Sequence, residues 1–147
     1  MNKTLKTIEF DKVLEILSGF AVSKLGKKRC LEVLPLVDSD EIKLAQTLTT
    51  QAQNAYRLSA SSIPVSGLED ITDALSLLKN KIALCVEDVK NIYGILCDAR
   101  KFSSFLHKYA ENEDKLFDFT HKLFVLTDIE QKIQDIFDAG FNVKESA

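Results

Sequence analysis

Four basic side chains, Lys24, Lys27, Lys28 and Arg29, come nearest to a chemistry-bearing cluster in this chain. The three lysines recur at helical neighbour spacing, so a helix presents them as one small basic patch that can touch phosphate oxygens. A solvated helix face is the weightier reading of the same residues. The aromatic set Phe102, Phe105, Tyr109, Phe117, Phe119 and Phe124 is a second candidate. A stacking platform for bases needs basic residues interleaved on an exposed face. At this helical spacing the rings read as core instead.

Signs of catalysis are mostly negative. No Gly-x-x-x-x-Gly-Lys-Ser/Thr and no Gly-x-Gly-x-x-Gly occurs among the five glycines. The only histidines are His107 and His121, and neither Cys-x-x-Cys nor His-Glu-x-x-His is present. Both histidines read as surface or helix-end residues. The acids Asp38, Asp40 and Glu41, and likewise Glu111, Glu113 and Asp114, read as helix starts rather than metal ligands. The three cysteines, Cys30, Cys85 and Cys97, are an odd set without short pairing. They imply reduced thiols in a cytoplasmic protein, each a small buried hydrophobe. No spacing here specifies a reaction, so the chain is expected to be no enzyme, with no cofactor or metal of its own.

The elements that would carry these residues are helices. Apolar residues at Phe10, Val13, Leu14 and Leu17 follow i, i+3, i+4, i+7. Ser23 is placed to cap a second helix running to Leu34, stopped by Pro35. Asp38-Ser39-Asp40-Glu41 is the clearest helix start, a variant capping box whose helix runs to about Ser59. Residues 59–67 are the one clear loop, rich in Ser, Pro and Gly. A helix over 68–78 follows, then residues 82–86, which could pass for a short buried strand but read better as a turn into the next helix, because no second strand is there to pair with them. Next comes a helix of roughly 20 residues, about 30 Å long, reaching His107 or beyond. A helical stripe over 116–124 and a last helix from Thr127 complete the pattern. From Asp138 to Ala147 the pattern is lost, and this end is expected to be flexible.

The 147 residues match one ordinary domain, 1–147. A charge of -3 disfavours a stand-alone nucleic-acid binder, which is usually basic. With 5 Gly, 2 Pro and no Trp, sandwiches and barrels are disfavoured. No apolar run approaches the roughly 18 residues of a membrane span, and the N-terminus has no signal-peptide core. The fold class expected is all-α, a bundle of about six to seven helices.

Several stretches in order resemble the start of the bacterial second MutS paralogue family. They are Ile8-Glu9-Phe10-Asp11-Lys12-Val13-Leu14, Ser23-Lys24-Leu25-Gly26, and Leu34-Pro35 with Asp38 and Glu41-Ile42. Ile63-Pro64, Gly67-Leu68-Glu69-Asp70-Ile71 and the end from Asp138 to Ala147 complete the set. Ser66 stands where the family tends to a second glycine. Thr49-Thr50-Gln51-Ala52-Gln53 stands where it has acids.

The resemblance implies a helical core-and-lever domain, an N-terminal fragment of a longer protein. Such a protein is a MutS-like endonuclease and ribosome-collision ATPase with a C-terminal Smr domain. Its clamp, its P-loop domain with ATP and magnesium, and its nuclease would lie outside this chain. The implied partners are those domains of the same protein, and DNA or ribosomal RNA reached through the full-length homodimer. No catalytic residue of the family maps here. The residue 86–107 helix is the candidate lever, coupling ATP state to the clamp. The competing reading is a free-standing helical module that binds a partner helix in an apolar groove. A small enzyme is the least favoured. An unusually large exposed apolar patch would mark a domain cut from its parent.

Overall fold

In the computed structural model the described residues are 8–60, 62–65, 68–111 and 113–145. They form six α-helices and one 3-10 helix: α1 (Phe10–Phe20), α2 (Lys24–Leu31), α3 (Ser39–Leu58), α4 (Thr72–Lys79), α5 (Val86–Tyr109), the 3-10 helix (Phe117–Lys122) and α6 (Thr127–Ile136). The fold is all-α. The only β pairing among the described residues is an isolated antiparallel bridge, Phe137 to Val143. No described helix is long and apolar enough to cross a membrane.

Local signals set most helix starts. Ser23 accepts from the Gly26 amide at 3.0 Å and begins α2. A Cβ at Gly26 would lie 3.0 Å from that same hydroxyl, so glycine permits the close cap. Asp38 begins α3 by accepting from the amides of Asp40 and Glu41 at 2.9 and 3.0 Å. Two expected boundaries move. α2 stops at Leu31 rather than Leu34, because the ring of Pro35 clashes with a helical carbonyl four residues back. α4 starts at Thr72 rather than 68, because Asp70 takes the Thr72 amide at 3.0 Å and its hydroxyl at 2.6 Å. That side chain acts as a cap two residues before the helix. The stripe over 116–124 is a short 3-10 helix, with Thr120 the buried residue.

α5 is the axis of the fold. Its 24 residues span about 36 Å. Asp88 accepts from the Cys85 amide at 3.1 Å and fixes its first turn. Its C-terminal half carries the core. Leu106 is fully enclosed, with Ala55 from α3 and Phe105, and Phe102, Tyr109, Leu116 and Leu123 pack around them. The stacked Phe102–Phe105 pair and the tilted Phe105–Tyr109 pair belong to this core, as their spacing predicts. Phe119 is about two-fifths exposed and Phe124 largely so; neither joins it.

Two polar clasps close this half. The Gln51 amide donates to Asp114 at 2.8 Å and accepts from the Leu116 amide at 3.0 Å, tying α3 to the turn after α5. Glu130 of α6 is almost fully buried and accepts from Arg100 Nε at 3.0 and 3.2 Å. Its Oε2 lies 3.5 Å from Cys97 Sγ.

The end of the chain carries backbone and side-chain hydrogen bonds as far as Lys144. Asp138 accepts from the amides of Gly140 and Asn142 at 2.8 and 2.9 Å. The Lys144 amide donates to the Ile136 carbonyl at 2.8 Å. Phe141 takes a left-handed backbone, φ 60, which an aromatic residue rarely adopts. Ser66, Gly67, Ser146 and Ala147, quoted in the resemblance, lie outside the described residues.

Candidate nucleic-acid interface

The four basic residues do sit on one short helix, α2, seven of whose eight residues lie between Lys24 and Cys30. The structure also sets acids against them. Lys24 Nζ reaches Glu69 at 2.9 and 3.0 Å, engaging both carboxylate oxygens. Arg29 lies 3.7 Å from Glu32 one turn on. Lys28 and Arg29 line a cleft of about 430 Å³ with Glu32, Glu69 and Asp70, floored by Leu25 and Ile95. Asp70 titrates below the usual carboxylate range, first through the Thr72 hydroxyl, then the Thr72 amide, with Lys28 adding to the effect. Lys27 and Lys28 make no ion pair among the described residues. The patch is therefore of mixed charge, with Lys24, Lys28 and Arg29 set against Glu69, Asp70 and Glu32.

Nothing in the local sequence pattern links Glu69 and Asp70 to this site. The pairing spans 45 residues, beyond any local pattern. The one available signal is that two adjacent acids follow the single Ser/Pro/Gly loop.

The remaining sequence candidates are not brought together. His107 and His121 are exposed and flank Phe117, with ring centroids 5.3 and 6.0 Å from it. Among the described residues no group of three or more His, Cys, Asp or Glu is placed to hold a metal ion. The sequence has no phosphate-binding glycine loop of the Gly-x-x-x-x-Gly-Lys-Ser/Thr type. The cysteines are less enclosed than expected: Cys85 is exposed, and Cys30 and Cys97 are half-buried. Cys85 stands at the solvent-facing start of α5 with its thiol 3.0 Å from Asp88. A second cleft, about 540 Å³, is walled by Tyr93, Phe137 and Phe141. Its polar rim is already engaged, since Asp138 holds the turn and Lys144 Nζ donates to the Gln134 carbonyl at 2.6 Å.

Exposed apolar surface is the other prominent feature. Val13, Ile16, Phe20 and Val22 are each more than half exposed, and Val37 is 94% exposed. The chain exposes 10935 Å², against roughly 7,600 Å² for a compact monomer of this mass.

These features define an all-α chain organised on one long helix, with a mixed-charge face and an apolar face left open. The chain is similar to part of the endonuclease MutS2 of Pediococcus pentosaceus, 30% identical over 149 residues, 99% of this chain and 19% of that protein. It is 31% identical over 148 residues to part of the putative endonuclease MutS2 of Bacillus subtilis, again 99% of this chain and 19% of the relative. With the endonuclease MutS2 of Lachnoclostridium phytofermentans it shares 33% over 113 residues, 76% of this chain. The chain spans about a fifth of the length of the curated relatives it matches. No protein-family model and no solved structure matches it.

Proposed function

We propose that this chain is a core-and-lever segment of a MutS2-type protein, the N-terminal one, whose role is mechanical. The observation that carries the reading is the span of the similarity: almost the whole chain corresponds to a small part of much longer endonucleases. In this reading ATP and magnesium, the clamp and the nuclease belong to other parts of a homodimeric cytoplasmic protein. Its substrate is DNA, the ribosome with its RNA, or both. The chain supplies no reacting group. It supplies α5, which moves as a rigid body and carries a change of ATP state to a distant clamp. The basic face of α2 is the place where this segment would touch a phosphate backbone.

A chimera tests the coupling role. The aligned segment of the Bacillus subtilis relative is replaced by this chain, with and without Leu96→Pro. The expected result is that the unmodified chimera shows ATP-dependent action on branched DNA, and that Leu96→Pro leaves ATP hydrolysis but removes its effect on DNA. Coupling that survives a proline shown by circular dichroism to have broken α5 would overturn the reading.

A second reading rests on the open apolar face of α1. Val13, Ile16, Leu17 and Phe20 recur at helical spacing on a helix whose single buried residue is Leu14. A free-standing interaction module would use such a stripe to seat a partner helix. Substituting Ile16 and Phe20 by Ser separates the two readings. Loss of a partner with intact coupling in the chimera favours the module.

A further inference from the structure

The polar contacts of the α1–α2 hairpin are nearly all internal. Among the described residues, the Lys24–Glu69 contact is the only ion pair or side-chain hydrogen bond joining residues 8–37 to residues beyond 38. It is exposed on both sides, with Lys24 79% and Glu69 41% accessible. An ion pair of this kind is weak and screened by salt. Its neighbours repeat the theme: Asp70 faces Lys28 across the cleft, and Glu32 faces Arg29. Carboxylates thus occupy positions on the basic face that phosphate oxygens would take.

We propose that Glu69 and Asp70 guard the basic face of α2: Glu69 clasps Lys24, and Asp70 stands opposite Lys28 across the cleft, until a nucleic-acid phosphate backbone displaces the acids, so that nucleic-acid contact and release of the α1–α2 hairpin are one event. The inference rests on the phosphate-contact reading of α2 given above and adds a regulating pair to it. The physical ground is competition. A lysine that holds a carboxylate at 2.9 Å must give up that partner to take a phosphate. A polyanion presents many phosphates at once and releases counterions on binding, so it can win against a single exposed pair. The same acids lower the field of the patch, which keeps a chain of net charge -3 from binding polyanions indiscriminately.

The test uses the whole 147-residue chain. Binding of fluorescently labelled branched DNA is titrated at about 50 mM and about 200 mM salt for the unmodified chain, Glu69→Gln/Asp70→Asn and Lys24→Ala/Lys27→Ala/Lys28→Ala. Hydrogen exchange of the α1–α2 amides is followed in parallel. The guard requires Glu69→Gln/Asp70→Asn to bind about three- to tenfold more tightly at the lower salt, with the gain shrinking as salt rises. It also requires faster α1–α2 exchange in that variant without DNA. If the triple lysine variant loses binding while the acid variant binds no more tightly, the guard is overturned and the phosphate contact stands. If neither the unmodified chain nor the acid variant binds, the phosphate-contact reading falls and the guard with it. Glu69→Gln alone, which leaves the Asp70 cap of α4 intact, replaces the double variant should the latter lose its helicity.

Discussion

The hairpin α1–α2 and the assembly of α3, α5, the 3-10 helix and α6 are both made of amphipathic helices, yet they use their apolar stripes differently. In the second region the stripe of α5 meets Ala55, Leu116 and Leu123, and Leu106 loses all contact with water. Long-range side-chain bonds then pin the packing, through Gln51 on one side and Arg100–Glu130 on the other. In the hairpin only Leu14 is enclosed, while Ile16, Phe20 and Val22 face solvent. One exposed ion pair reaches across to Glu69. The contrast teaches that apolar periodicity forms a helix without saying what covers it. Coverage depends on which element the chain returns to that face. For α1 the described residues return only α2.

Variants can break or sharpen this contrast. Leu106→Ala is expected to cost about 2–5 kcal/mol in urea unfolding, because the site is closed on all sides. Phe20→Ala, on the same measurement, is expected to stay within about 0.5 kcal/mol, since an exposed ring loses little on truncation. Equal costs at the two sites would erase the contrast.

Leu96→Pro removes a backbone hydrogen bond in the middle of α5 and is expected to cost about 3 kcal/mol or more, with loss of helicity by circular dichroism. Arg100→Ala leaves the Glu130 carboxylate without its cation. Arg100 is itself 43% exposed and water can follow it, so the expected cost is about 1–2 kcal/mol, below that of a fully enclosed pair. Gly94→Ala works in the opposite direction. A Cβ there meets nothing within 4 Å, so the gain is expected to approach the helix-propensity difference of about 0.8–1 kcal/mol.

The smallest effect concerns the tied-back end. Asp138 titrates below the usual carboxylate range, first because of the Asn142 amide, with the Asn142 side chain and the Gly140 amide adding to it. A carboxyl depressed in the folded state contributes stability above its unfolded value and loses it as pH falls through its folded value. The turn at 138–142 therefore loosens only in acid. The amide resonances of Gly140 and Asn142 should shift with a midpoint below about 3.9, the unperturbed value for Asp. A midpoint above that value would show that these bonds do not hold the turn.

What was legible in the sequence was local. Asp38 and Ser23 announce helix starts because a cap acts within three residues. The long α5 is legible from its apolar spacing, which reaches His107 or beyond; the helix ends at Tyr109. Contacts made across the fold were not legible. Gln51 lies 63 residues from Asp114, Arg100 lies 30 from Glu130, and Lys24 lies 45 from Glu69. No period or motif links such pairs. The spacing of the basic patch therefore carries no sign of Glu69, which lies 45 residues from Lys24. The apolar neighbours of Cys85 predict burial, but it stands exposed where the turn delivers the chain to the start of α5.

Site-resolved amide hydrogen exchange of the intact chain tests most directly the claim that the hairpin is loosely tethered, through the Lys24–Glu69 pair, while the core on α5 is closed. The core amides of α5 around Phe105 and Leu106 should exchange only through global unfolding, while those of α1 and α2 exchange through a much smaller local opening that widens with salt. Protection of α1 and α2 equal to that of α5, and insensitive to salt, would contradict the account.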